Sequence, residues 1–316
     1  LLDVFAARKR IAPYVMRTPL HRYPGLDRLI GTEVFVKHEN HHSLGAFKIR
    51  GALNVISQLT EEEKSRGVIC ASTGNFGQGI AYAASVFGVQ ARVFVPEDAN
   101  PDKCAAMRGF GADLVHHGAN FDEARTECER RAEAEGSVYI HSADEPRLIP
   151  GVATYALEIF EDLPDVDVIV VPVGAGSGAC GTCIVADSIN PQVRVIGVQS
   201  EAAPAAFLSW KSGEIVAADA GTVAEGLSTS VGFGLTQQIM RALLDDFLLV
   251  SDDELVRAVD LYLETTHNLA EHAGAAPLAA AIRHAESLKG RKVVLVLSGG
   301  NISRGHLRKA LAQGSN

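Results

Sequence analysis

Aromatic residues are scarce in this 316-residue chain, at 6% with a single tryptophan. No apolar run approaches the roughly 20 residues that a membrane-spanning helix needs, so a bilayer is not an expected partner. The five cysteines (Cys70, Cys104, Cys128, Cys180, Cys183) are an odd number in a long chain, which argues against a disulfide scaffold. The N-terminal Leu1-Leu2-Asp3-Val4 lacks the basic and apolar regions of a secretory signal, and the expected location is the cytoplasm. Basic residues are outnumbered, 29 against 38 acidic, for a net charge of −9. That balance is the opposite of a nucleic-acid binder's footprint. With 47% hydrophobic and 21% charged residues the chain folds into a core, and its length suits two domains of about 150 residues each. What it has in excess is glycine: 30 residues, above the usual share of about 7%.

Short β-branched runs alternate with helix-length segments. Strands are expected at Glu33–His38, Val68–Ala71, Arg92–Pro96, Leu114–His116, Val138–Ile140, Val168–Val173, Val193–Val198 and Val293–Leu297. Helices are expected at Leu44–Gln58, Gly77–Phe87, Asp122–Glu135, Ser177–Ile189 and Asp253–Thr265. Ser251 followed by Glu254 forms a capping box ahead of the last of these. Several strands are apolar throughout, as parallel strands covered on both faces must be. The fold class is therefore α/β, with doubly wound, mostly parallel sheets and ligands expected at the carboxyl ends of the strands.

Eleven of the glycines fall in four segments that follow strands or open helices. These are Ser43-Leu-Gly-Ala-Phe-Lys-Ile-Arg-Gly51, Ser72-Thr-Gly-Asn-Phe-Gly-Gln-Gly79, Gly174-Ala-Gly-Ser-Gly-Ala-Cys-Gly181 and Ser298-Gly-Gly-Asn301. The third joins a buried strand to a helix and reads as a phosphate cup of backbone N–H groups. No Gly-Lys-Ser/Thr follows it, which excludes a nucleotide P-loop. Gly176, Gly178 and Gly181 also match a dinucleotide fingerprint, with Glu201 about 20 residues on as the ribose acid, so a dinucleotide-binding protein is an alternative. Cys180 and Cys183 form a C-x-x-C, either a redox pair or small residues packing a helix, and no second pair completes a zinc site. Lys48 has apolar and glycine neighbours, and a lysine desolvated in such company is suited to form a Schiff base. Lysine and phosphate cup together point to pyridoxal 5′-phosphate.

The motifs, taken in order, resemble the fold type II pyridoxal-phosphate enzymes, tryptophan synthase β-like, and within them the serine/threonine dehydratase and serine racemase branch. They are Arg17-Thr-Pro-Leu20, Lys37-His-Glu-Asn40, the Lys48 segment, Ser72-Thr-Gly-Asn75, the Gly174–Gly178 loop, Glu225-Gly226, Glu271 with Gly274, and Ser298-Gly-Gly-Asn301. The resemblance implies a large cofactor-binding domain (1–50 with 141–316), a small mobile domain (51–140), the cofactor in the cleft between them, and a homodimer. By the same resemblance Lys48 holds the cofactor and later removes the substrate's Cα proton, with Phe47 against the ring and Asn75 on its 3′ oxygen. Gly174, Ala175, Gly176, Ser177 and Gly178 hold the phosphate beside Gly226, and Ser298 partners the ring nitrogen. Ser72, Thr73, Gly74 and Phe76 meet the amino-acid substrate. The implied activity is α,β-elimination from L-threonine, L-serine or a related 3-hydroxy amino acid, giving a 2-oxo acid and ammonia. Serine racemase and a β-replacement enzyme of the same fold are the alternatives.

Three departures qualify the resemblance. Thr73 stands where the racemases carry a serine, and Phe76 where the family usually has a histidine. His41 and His42 precede the lysine segment, either as a solvated turn or with one reaching the substrate. The chain ends soon after Asn301, so no C-terminal regulatory domain is expected. The branch's divalent-cation site has Gln199, Ala203 and Ala205 at its ligand positions, and hard cations need carboxylates. Activity is therefore expected to survive EDTA unchanged; a large loss restored by magnesium would contradict this.

Overall fold

In the computed structural model of the protein, residues 1–313 are described. Among the described residues, ten strands form two sheets. They are β1 (Leu20–Arg22), β2 (Glu33–His38), β3 (Val68–Ala71), β4 (Ala91–Val95), β5 (Asp113–His116), β6 (Val138–Tyr139), β7 (Val168–Pro172), β8 (Arg194–Ser200), β9 (Asp246–Val250) and β10 (Lys292–Leu297). The larger sheet runs β1-β2-β10-β7-β8-β9 and the smaller β5-β4-β3-β6. Every pairing is parallel except β1 with β2 at one edge.

The unbroken apolar runs have the double coverage that the sequence predicts. In β10, Val293, Leu295 and Leu297 enter the core shared with the Asp252–Thr266 and His272–Arg283 helices. Val294 and Val296 enter the opposite core, shared with the Leu148–Asp162 and Ser177–Ile189 helices. The period-2 alternation of side chains thus meets apolar helices on both faces. The smaller sheet repeats this: Val68 and Cys70 of β3 face the Lys48–Ile56 and Asn75–Phe87 helices, while Ile69 and Ala71 face Phe121–Glu135. The Ser251/Glu254 capping box forms, both halves of it.

Two strands escaped the sequence pattern. β1 is only three residues long with no fully buried side chain, and β9 is an edge strand of mixed burial, so neither carries a clear apolar signature. The first predicted helix begins at Lys48 rather than Leu44. Residues before it are drawn into a bridge between Ala46 and Gly299, and Gly45 takes φ +72°, which ends any helical path there.

A buried ion cluster anchors this helix. Arg50 donates to both oxygens of Glu39 (2.7 and 3.0 Å) and both of Glu158 (2.8 and 2.9 Å). The Lys37 ammonium adds a bond to Glu158 at 2.5 Å and another to the Thr18 carbonyl at 2.8 Å. Burial alone would raise the Glu39 carboxyl, but Arg50 and His42 hold it well below the usual carboxylate range. His42 is not in a solvated turn: it is 4% exposed, with Nε2 3.1 Å from Glu39. Removing one partner from such a cluster strands buried charge. Arg50→Met is expected to lower the unfolding free energy by about 3–5 kcal/mol, read from urea denaturation, and a change below about 1 kcal/mol would show the cluster to be dispensable.

Candidate active site

β7 and β10 are neighbours, so the loops leaving their carboxyl ends emerge side by side. The loop after β3, from the smaller sheet, and the Lys48 segment complete a cleft of about 690 Å³. All fourteen site residues named from the sequence line it: Phe47, Lys48, Ser72, Thr73, Gly74, Asn75, Phe76, Gly174, Ala175, Gly176, Ser177, Gly178, Gly226 and Ser298.

The lysine segment is laced to the loop after β10 by backbone bonds. Phe47 N–H donates to the Ser298 carbonyl at 3.0 Å, and Gly300 N–H to the Gly45 carbonyl at 2.9 Å. This places Lys48 at the first turn of its helix with Nζ 3.2 Å from Ser177 Oγ. The amine also lies 4.8 Å from the centre of the Phe47 ring, which meets Tyr155 edge-on. Burial pushes the Lys48 ammonium down to about 8, partly opposed by the charge of Glu271.

The loop expected to hold a phosphate turns directly from β7 into a helix. Gly176 has φ +99° and opens the Ser177–Ile189 helix. Gly174 admits no side chain, since a Cβ there would lie 2.2 Å from the Gly226 carbonyl oxygen. Thr236 donates to the Ala175 carbonyl at 2.8 Å and Tyr155 to the Gly178 carbonyl at 2.9 Å, so both walls are braced from behind. Carbonyls are thereby occupied and the helix-start N–H groups are left for an anion.

Across the cleft, Ser72 Oγ accepts from Gly74 N–H at 3.2 Å and Gly77 N–H at 2.8 Å. Its hydroxyl shapes the loop that starts the Asn75–Phe87 helix. Asn75 is held at both ends of its amide, donating to Glu271 at 2.7 Å and accepting from Asn301 at 2.8 Å. Glu271 is buried and its carboxyl is pushed up by that burial, against the pull of Lys103 and Asn75. Thr73 is partly exposed in the cleft, and Phe76, 6% exposed, forms a flat apolar wall.

The other sequence readings resolve simply. Glu201 lies outside the cleft lining and pairs with Arg283 at 2.8 Å, which removes the ribose acid of a dinucleotide site. Cys180 and Cys183 are buried free thiols, pushed up by burial, Cys183 to about 12. Gln199 Oε1 accepts from the Phe207 N–H at 3.0 Å. Sequence reasoning assigned no role to Glu271 and overlooked Lys103, which also lines the cleft. Glu271 was visible only as one letter of a motif, and Lys103 carried no local signal.

The family model for "Pyridoxal-phosphate dependent enzyme" matches residues 11–299. The chain belongs to that family. It is 38% identical to a protein of Thermotoga maritima named L-threonine ammonia-lyase, over 99% of this chain and 78% of that one. Among solved structures, the processed form of threonine deaminase isoform 2 from Solanum lycopersicum superposes with a TM-score of 0.95 at 30% identity, covering 100% of this chain and 92% of that one. Serine racemase from Dictyostelium discoideum gives 0.89 at 36% identity, covering 96% and 98%.

The donors in the cleft fit the pyridoxal-phosphate family's cofactor. A helix-start cradle whose Gly174 and Gly176 have no room for a Cβ suits a phosphate, and a desolvated primary amine beside it suits an aldehyde. The neutral amine is the nucleophile. With its pKa near 8 instead of 10.5, Lys48 holds a few-hundred-fold more of that form at neutral pH. Cofactor capture by the apoprotein, followed by the absorbance of the lysine-bound form, is expected to quicken as pH rises and to level off above about 8. A rate still climbing steeply well above that pH would contradict a desolvated lysine.

Proposed function

We propose that this family member is an ammonia-lyase that removes water from L-threonine, L-serine or a related 3-hydroxy amino acid, releasing a 2-oxo acid and ammonia. The observation that carries the reading is the desolvated Lys48 amine, 3.2 Å from Ser177 at the mouth of the phosphate cup and facing the same cleft as the Ser72–Phe76 helix start. The relatives named for threonine deamination support it.

Pyridoxal phosphate, when bound, supplies an electron sink for the pair left by the Cα proton. The N–H groups of Gly174 to Gly178 would hold its phosphate, Lys48 its aldehyde carbon, Asn75 its 3′ oxygen, and Phe47 would lie against the ring. Ser298, buried at the end of β10, would face the ring nitrogen. A hydroxyl there, unlike a carboxylate, would not stabilise a pyridinium, which would suit prompt loss of the β-hydroxyl. Ser72, Thr73 and Gly74 would seat the substrate carboxylate at the start of the Asn75–Phe87 helix, where the helix dipole favours a negative charge. With the carboxylate held there, the Lys48 amine takes the Cα proton. The β-hydroxyl leaves with a proton as water, and the released enamine hydrolyses in solution.

The same reading carries a division into a cofactor-binding part (1–50 with 141–316) and a smaller part (51–140), a homodimer, and a place in the cytoplasm. A second reading, slow serine racemisation, is favoured by Thr73, a half-buried hydroxyl residue lining the cleft, and by the likeness to serine racemase.

A panel of 3-hydroxy amino acids assayed for 2-oxo acid release, with Lys48→Ala as the blank, tests the activity; no release from any of them overturns it. The Phe76 wall is expected to favour larger, more apolar β-substituents. kcat/KM for threonine and phenylserine should exceed that for serine by about tenfold or more, and Phe76→His should narrow the gap. Equal or better values for serine would sink this specificity.

A further inference from the structure

Lys103 lies in the Pro101–Gly109 helix beside the smaller sheet, and its amine crosses the mouth of the cleft to the carboxylate of Glu225 on the larger-sheet side. The pair is lopsided. The lysine side chain is 11% exposed and the glutamate 39%, so the amine lies inside and the carboxylate is its outer, removable partner. On its inner side Lys103 meets the start of the Asn75–Phe87 helix: a carbon built on Gly74 would stand 3.4 Å from its Nζ. A ligand atom resting on Gly74 would therefore touch the ammonium.

The charge inventory gives this position its meaning. Among the described residues, the cleft is lined by four carboxylates, Asp98, Asp102, Glu225 and Glu271, and by two cations, Lys48 and Lys103. Once Lys48 is joined to the cofactor, Lys103 is the remaining cation available to an anionic group. An amino-acid carboxylate entering among four acids meets net repulsion unless a cation stands at its docking point. Helix-start N–H groups supply part of that attraction, and a charge-assisted bond supplies more.

We propose that Lys103 is a substrate-binding residue, whose ammonium exchanges Glu225 for the α-carboxylate of the amino acid seated on Gly74. This rests on the reading of the Ser72–Phe76 loop as a carboxylate site. Before substrate arrives Glu225 neutralises the lysine, which avoids an unpaired charge at a largely buried amine. On binding, the substrate carboxylate takes its place and Glu225 turns to solvent. The exchange selects α-amino acids over simple amines of the same size, because an amine without a carboxylate cannot displace Glu225.

The test uses the holoenzyme and two probes that lack a complete substrate's chemistry: L-alanine, which has the carboxylate but no leaving group, and ethanolamine, which has no carboxylate. Binding of each is read from the change in cofactor absorbance. Lys103→Met is expected to raise the L-alanine Kd and the KM for L-serine by about tenfold or more while leaving the ethanolamine Kd within about twofold. Glu225→Gln, which frees the lysine, is expected to tighten L-alanine. Equal weakening of both probes by Lys103→Met, or no weakening of L-alanine, overturns the proposal. Should the methionine variant not retain cofactor, Glu225→Gln decides alone: weaker L-alanine binding overturns the exchange, tighter binding supports it. A wild-type enzyme that binds L-alanine but releases no 2-oxo acid from any 3-hydroxy amino acid counts against the lyase reading, and the probe comparison still decides Lys103.

Discussion

Arg50 sits two residues beyond Lys48 with its guanidinium closed between Glu39 and Glu158, and each carboxylate takes two of its N–H groups. Glu39 follows β2 directly and Glu158 lies in the Leu148–Asp162 helix, so one planar cation joins the larger sheet, a covering helix and the helix that carries the lysine. The geometry is directional, because the fork of a guanidinium donates to two carboxylates only in its own plane. Lys48, on the same helix two residues earlier, lines the cleft with its amine desolvated. Weak, exposed ion pairs elsewhere on the molecule have no such consequence.

From that anchor the cleft assembles by close approach of main chain. The lysine segment and the loop after β10 lie within backbone hydrogen-bonding distance, and Gly174 lies against Gly226 with no room for a side chain. Bare backbone serves a small anionic ligand twice over, by presenting N–H donors and by letting two loops touch. Formal cations are correspondingly few, and those present are precisely placed by acids: Lys48 within the field of Glu271, Lys103 against Glu225. On the proposed reading, a phosphate would be drawn by dipoles and a carboxylate by dipoles plus one ammonium, which would keep the two anions at different ends.

How much of this was readable in advance depends on the range of the interaction. The four glycine loops and the capping box at Ser251 are local, since their cues lie within a few residues of the structure they produce. β10 and β7 announced themselves by composition, because strands buried on both faces cannot alternate. Edge strands β1 and β9 have one weakly covered side, and no such cue marked them. His42 looked like part of a polar turn, yet its partner is a carboxylate whose charge is set by Arg50, and only folding brings the three together. Lys103 is 122 residues from Glu225, and Asn75 is 196 residues from Glu271; neither pair has any sequence periodicity to betray it.

The order of residues along the chain determined the layered α/β architecture, the glycine turns at strand ends and a lysine among apolar neighbours, because backbone conformation and side-chain alternation act over a few residues at a time. Tertiary structure alone decided which turns share one crevice, how far the Lys48 amine is stripped of water, and which acid faces which cation. Desolvation and Coulomb attraction depend on distance through space, and the residues that set them here come from opposite ends of the chain and from both sheets.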